Sequence, residues 1–136
     1  IARNETDEAP YHAGLRAALA AGQAVLARGG GALDAVVAAV IALEDEPLFN
    51  AGRGSVYTAD ATHEMDAAVM DGRDRRAGAV AGVRSARNPV QLARTVMEAT
   101  EHVLMIGDGA ERLAREQHVP TAPPAYFASE TRLRQL

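Results

Sequence analysis

An α/β (α+β) layered domain is predicted by three features of this 136-residue chain. Apolar residues recur at helical spacing through the first third. Between 55 and 83 the pattern changes to short apolar runs broken by turn residues. Helical spacing then returns twice, with one more short apolar run between. The order read is helix, helix, three strands, helix, strand, helix.

Residues 1–10 are polar and irregular and read as a loop. Leu15, Ala18, Leu19, Gly22, Val25 and Leu26 fall on one helical face, and Gly29-Gly30-Gly31 ends that helix. A second helix carries the stripe Leu33, Val36, Val37, Val40 and Ile41, and Pro47 bars its continuation. Ser55 to Thr58, Glu64 to Met70 and Ala77 to Val83 read as strands, with a turn signal at Asp71-Gly72. Asn88-Pro89 opens a helix that buries Leu92, Ala93, Val96 and Met97. Val103 to Ile106 reads as a strand, followed by a helix from about Gly109 to His118. Pro120, Pro123 and Pro124 mark residues 119–136 as a peripheral, surface-hugging tail.

Composition narrows the function. The length suits one modest domain. The net charge of −4 argues against nucleic-acid and anionic-membrane partners, which need a concentrated basic surface. All 14 basic residues are arginine, so the chain supplies no Schiff-base or Walker lysine. It has no cysteine, hence no disulfide, thiolate nucleophile or Cys-ligated zinc, which suits the cytoplasm. No apolar run approaches the ~20 residues of a membrane span. An alanine- and glycine-rich core with only 4% aromatics is expected to lean on a partner surface.

Several segments invite a site. His63-Glu64-Met65-Asp66 looks metal-binding, but on a strand His63 and Met65 face one way and the two acids the other. Met105-Ile106-Gly107-Asp108-Gly109 imitates a dinucleotide turn, yet Arg112 stands where a third glycine belongs. Asp108 reads better as an N-cap. Arg73 to Arg76 read as a solvated turn. His12, His63, His102 and His118 are scattered, and no Ser-His-Asp arrangement is recognisable. Asn50-Ala51-Gly52-Arg53-Gly54-Ser55 lies between a helix and a strand, where its glycines let the backbone approach another group closely.

Three blocks in order, Leu48-Phe49-Asn50-Ala51-Gly52-Arg53-Gly54-Ser55, Met65-Asp66-Ala67-Ala68-Val69-Met70-Asp71-Gly72 and Ala77-Gly78-Ala79-Val80-Ala81-Gly82, are specific in combination. They resemble the α subunit of the plant-type L-asparaginase/isoaspartyl peptidase family, bacterial type. Those enzymes are autocatalytically cleaved N-terminal-nucleophile hydrolases. The resemblance runs strongly over residues 11–119 and more weakly over 129–136. It implies part of an αββα four-layer sandwich, completed by a β subunit that begins with the nucleophilic threonine. It also implies an (αβ)₂ assembly acting on asparagine or β-aspartyl dipeptides. By the resemblance, Asn50 positions that nucleophile. The main-chain carbonyls of Leu43, Glu44, Glu46, Phe49, Ala51 and Arg53 wrap a structural sodium ion, and no organic cofactor is needed. Asp66 and Asp71 recur in the family block without an assigned role. The family's opening strand, which runs into His-Gly-Gly-Ala-Gly, and its mobile linker are expected outside this sequence. Two alternatives stand beside this reading. One is a glycosylasparaginase of the same fold. The other is a non-catalytic α/β module that uses the 50–55 loop to bind an anion.

Overall fold

The computed structural model describes residues 5–136. Two long helices come first, α1 (Glu5–Ala27) and α2 (Ala32–Glu44), joined by a glycine turn. A short 3₁₀ turn (Gly52–Gly54) precedes β1 (Met65–Met70) and β2 (Ala77–Val83). Helix α3 (Pro89–Ala99), β3 (Leu104–Ile106) and α4 (Gly107–Glu116) follow, then two single-turn helices, α5 (Pro124–Phe127) and α6 (Glu130–Leu133). The three strands form one sheet in the order β1-β2-β3, with β1 antiparallel and β3 parallel to β2.

The core lies between the sheet and α3. Met65, Val69, Val80 and Val83 point at Leu92, Ala93, Val96 and Met97. Gly78 sets the distance between the layers, because a Cβ there would stand 2.2 Å from the Ala93 carbonyl and 2.5 Å from the Met97 nitrogen. The opposite face of the sheet is bare. In register it presents Ala68 beside Ala79 and Leu104, and Ala81 beside Ile106. Met70, Leu104 and Ile106 are each more than half exposed. An apolar sheet face of this kind belongs against a second layer.

Five expectations need correction. The loop read for residues 1–10 is helical from Glu5 onward, while residues 1–4 lie outside the described part. Pro10 lies inside this helix, where its missing N–H forfeits one intrahelical hydrogen bond. The buried line of α1 is Gly14, Ala18 and Gly22; Leu15, Leu19 and Leu26 stay exposed beside it. Small residues take the contact because α2 crosses so close that a Cβ on Gly22 would lie 3.0 Å from the Ala35 carbonyl. Ser55 to Thr58 is not a strand. The Val56 N–H bonds the Asn50 side chain and the Thr58 N–H bonds the Thr62 carbonyl, so neither serves a ladder.

Asp108 is not an N-cap either. Gly107, at φ +47°, turns β3 directly into α4 and leaves Asp108 inside the first turn. The tail, finally, keeps to the surface but is not all loop, since it forms α5 and α6. Its Phe127 is completely buried, and an isolated bridge pairs Thr121 with Ala86.

Substituting Gly78 tests the layer spacing. Gly78→Ala is expected to cost about 1–3 kcal/mol of stability through overpacking, read as a lowered melting temperature. Gly72→Ala, whose Cβ meets nothing within 4 Å, is the control.

Candidate functional site

The site is built where α2 ends. Glu44 closes the helix and is buried; one carboxylate oxygen accepts the Val90 N–H at 2.9 Å, and the other has no partner. Burial pushes this carboxyl up to about 7, against the lowering effect of the Val90 N–H. The next residue, Asp45, gathers three donors on one oxygen: the Tyr126 hydroxyl at 3.1 Å, the Asn88 amide at 3.3 Å and Arg87 at 3.5 Å. The ends of α2 and α3 and the tail therefore meet at one carboxylate.

From there the chain loops back on itself. Gly52, at φ +49°, lies so close to the end of α2 that a Cβ would stand 2.4 Å from the Glu44 carbonyl oxygen. A Cβ on Gly54 would stand 2.1 Å from the Phe49 carbonyl oxygen. Only glycine permits both approaches. The Phe49 ring is held by Tyr11, edge-on with centroids 5.9 Å apart, and lies over Gly14, where a Cβ would meet it at 2.7 Å.

The polarity of this loop is telling. The N–H groups of Gly54, Ser55 and Val56 are spent on the Ala51 carbonyl, the Gly52 carbonyl and the Asn50 side chain. Among the described residues no backbone N–H is directed at the carbonyls of Glu44, Phe49 or Arg53. Those of Leu43, Glu46 and Ala51 each accept one N–H, at 3.3, 3.3 and 3.0 Å, and keep a second lone pair. A cradle of uncharged, hard oxygen donors fits an alkali cation and offers an anion little. The anion-binding alternative loses its N–H donors here.

Asn50 is exposed, and its Oδ1 accepts the Val56 N–H at 2.9 Å. That bond fixes which end of the amide is which, since a backbone N–H requires an oxygen. That oxygen accepts one N–H and keeps a second lone pair. Asn50 lines a cleft of about 240 Å³ shared with Ser55, Glu64 and Asp66.

The remaining candidates have structural partners. Asp66 accepts the Gly82 N–H at 2.8 Å beside an irregularity in the β1–β2 pairing. Asp71 accepts the Arg73 backbone N–H at 3.0 Å and its guanidinium at 2.6 Å, which holds the carboxyl down to about 2. His63 and Met65 face inward while Glu64 and Asp66 face out, as strand alternation requires. Among the described residues no three His, Asp or Glu side chains could jointly hold a metal.

Sequence reasoning missed two features. Ser55 Oγ lies 3.1 Å from His63 Nδ1, both residues buried, with Tyr57 tilted over the imidazole at 4.1 Å. No carboxylate reaches the other nitrogen, so the pair lacks the orienting acid of a triad. Arg132 of α6 was also missed; its guanidinium donates to the Gly54 carbonyl at 2.8 Å and the Leu48 carbonyl at 3.0 Å. The eight-residue Ser-His spacing carries no periodic signal, and an arginine in a proline-rich tail resembles any solvated one.

The pH dependence follows from Glu44. Its raised value means that its contribution is fully present below about 4.5 and is lost as pH rises through about 7. Glu44→Gln keeps an acceptor for Val90 and cannot ionise. In a tetramethylammonium buffer it is expected to melt on the order of 5 °C above the parent at pH 8, and level with it at pH 4.

Across residues 1–136 the chain matches the profile of a family described as Asparaginase. It is 50% identical over 129 residues to an isoaspartyl peptidase of Escherichia coli, covering 95% of this chain and 40% of that protein. It is 46% identical over 123 residues to an isoaspartyl peptidase/L-asparaginase of Xenopus laevis, covering 90% of this chain and 40% of the relative. A plant-type L-asparaginase of Thermococcus kodakarensis is 58% identical over 102 residues, 75% of this chain and 33% of the relative. The chain thus spans 33–40% of the length of these relatives.

Proposed function

The chain belongs to the asparaginase family, and on that premise we propose that it is the α part of a threonine-nucleophile amidohydrolase. The substrates are L-asparagine and β-aspartyl dipeptides, the two classes named in its relatives. The observation that carries this is the Asn50 amide, anchored by the Val56 N–H on its oxygen and lining a cleft with Ser55, Glu64 and Asp66. The bare sheet face is where a second sheet, from a β part beginning with threonine, would complete an αββα sandwich. The exposed leucines of α1 together with Val36 support further association, which we read as an (αβ)₂ assembly. We place that assembly in the cytoplasm, where a chain free of cysteine needs no oxidising compartment.

In this reading the precursor cuts itself before the threonine and frees an α-amine. The amine takes the proton of the threonine's own hydroxyl as that oxygen bonds to the β-carboxamide carbon. Donors of the β part hold the oxyanion. The carbon–nitrogen bond then breaks, ammonia or the amino-terminal amine of the departing residue leaves with the proton, and an ester remains. Water attacks the ester and releases aspartate, and the threonine regains its proton. Asn50 contributes one hydrogen bond, from its NH₂ to the nucleophile's oxygen. Donating through its NH₂, it orients that hydroxyl while its Oδ1 holds the Val56 N–H.

A structural sodium ion would sit on the carbonyls of Leu43, Glu44, Glu46, Phe49, Ala51 and Arg53. The support is chemical: three of these carbonyls have no backbone N–H partner among the described residues, and Gly52 and Gly54 let the loop backbone pass close to the carbonyls of Glu44 and Phe49. When bound, the ion would supply positive charge to those oxygens.

Two experiments test the reading. In the full-length enzyme, Asn50→Ala is expected to lower kcat roughly 10²-fold, the scale of one lost positioning donor. Asn50→Asp, which keeps an acceptor for Val56, should lower it comparably with an unchanged melting temperature. Parental turnover in both would remove Asn50 from the site. Replacing sodium by choline is expected to lower the melting temperature and activity together, and indifference of both would dismiss the ion.

A further inference from the structure

Among the described residues, Arg132 donates three hydrogen bonds, and none of them goes to a carboxylate. Nε donates to the Gly54 carbonyl at 2.8 Å, Nη2 to the Leu48 carbonyl at 3.0 Å and Nη1 to the Gln135 amide oxygen at 2.9 Å. Leu48 and Gly54 stand two residues before and four residues after Asn50. A planar guanidinium fork can span two carbonyls at once in a fixed geometry, as an ammonium cannot. Together the two bonds close the loop across its neck.

The clamp is itself firmly mounted. Ser129 Oγ accepts the Arg132 N–H at 3.2 Å and so starts the turn that aims the side chain. Two residues earlier Phe127 is sunk completely into the core, and Tyr126 bonds Asp45 through its hydroxyl. The Tyr126 ring also lies between Arg53 of the loop, 5.6 Å away, and Arg87, 5.4 Å away. The tail thus touches the loop at both its polar neck and its exposed arginine.

Neither carbonyl held by Arg132 belongs to the cradle of residues 43–53 assigned above. The division is clean: the guanidinium takes Leu48 and Gly54, and the carbonyls of Glu44, Phe49 and Arg53 stay open. The bond to Gly54 lies two residues before Val56, whose N–H fixes the Asn50 amide. Slack at the neck would therefore reach the amide through a very short piece of backbone.

We propose that Arg132 is a positioning residue for the reaction, clamping the loop so that the Asn50 amide stays aimed at the nucleophile. The role rests on the reading of Asn50 given above. In the full-length two-chain enzyme, Arg132→Met keeps the apolar stem and removes the fork, whereas Arg132→Lys can hold one carbonyl at a time. Arg132→Met is expected to lower kcat about tenfold or more with KM within about twofold, the signature of lost orientation. Amide exchange at Gly54, Ser55 and Val56 should quicken by about tenfold while α3 keeps its protection. Arg132→Lys should recover part of both effects, and it carries the test if the methionine variant does not fold. In an Asn50→Ala background, Arg132→Met should cost less than about twofold more, because both act through one amide. Unchanged exchange at residues 54–56, or fully multiplicative losses in the double variant, would overturn the clamp. Parental turnover in Asn50→Ala would instead defeat the functional reading, and faster loop exchange in Arg132→Met would still establish the clamp.

Discussion

The loop after α2 can exist only because its backbone passes within van der Waals reach of the helix it has just left. Gly52 and Gly54 make that possible, and the rest of the site follows from it. A chain folded so tightly spends the N–H groups of Gly54, Ser55 and Val56 internally and leaves several carbonyls without an N–H partner among the described residues. Those oxygens are free to take positive charge or donors from outside. One set of oxygens meets the guanidinium of Arg132, and the other forms the cradle proposed for an alkali ion. Asn50 belongs to the same loop, its amide orientation fixed by the Val56 N–H on its oxygen.

That geometry is held from three directions. Phe49 is pinned by α1, through Tyr11 and the space left at Gly14. Asp45 ties the end of α2 to α3 and to Tyr126. The tail closes the neck. Each support is modest alone, since a net hydrogen bond is worth about 1 kcal/mol, but together they leave the loop few alternatives. An amide that is to orient a nucleophile from a surface loop needs such over-determination.

Much of this was legible in the sequence, for identifiable reasons. Stripes such as Leu92, Ala93, Val96 and Met97 report a helix buried on one side, and the β1–β2 pair follows from its flanking turn residues. The motif at Asn50 was recognisable because close backbone approaches demand particular residues at particular spacings. Tertiary competition was not recognisable. Ser55 to Thr58 has strand-like composition, but its N–H groups are claimed by Asn50 and Thr62. The leucines of α1 advertised a buried face, whereas close helix crossing selected the glycines and alanine beside them. Arg132 and the Ser55–His63 pair depend on where distant pieces of chain meet, and no local pattern records that.

The uncovered face of the sheet governs the order of events in the life of the two-chain enzyme proposed here. Met70, Leu104 and Ile106 lie open in this chain alone, on the two edge strands of the sheet. Water is a poor covering for such a surface, and another copy of the same surface is a better one. In the proposed enzyme, synthesis as a single precursor would remove the difficulty, because the covering layer would arrive tethered to the layer it covers. Cleavage would then come last, once the two halves held each other without the tether. Maturation would be paced by folding, and the cut would certify that the sandwich had closed.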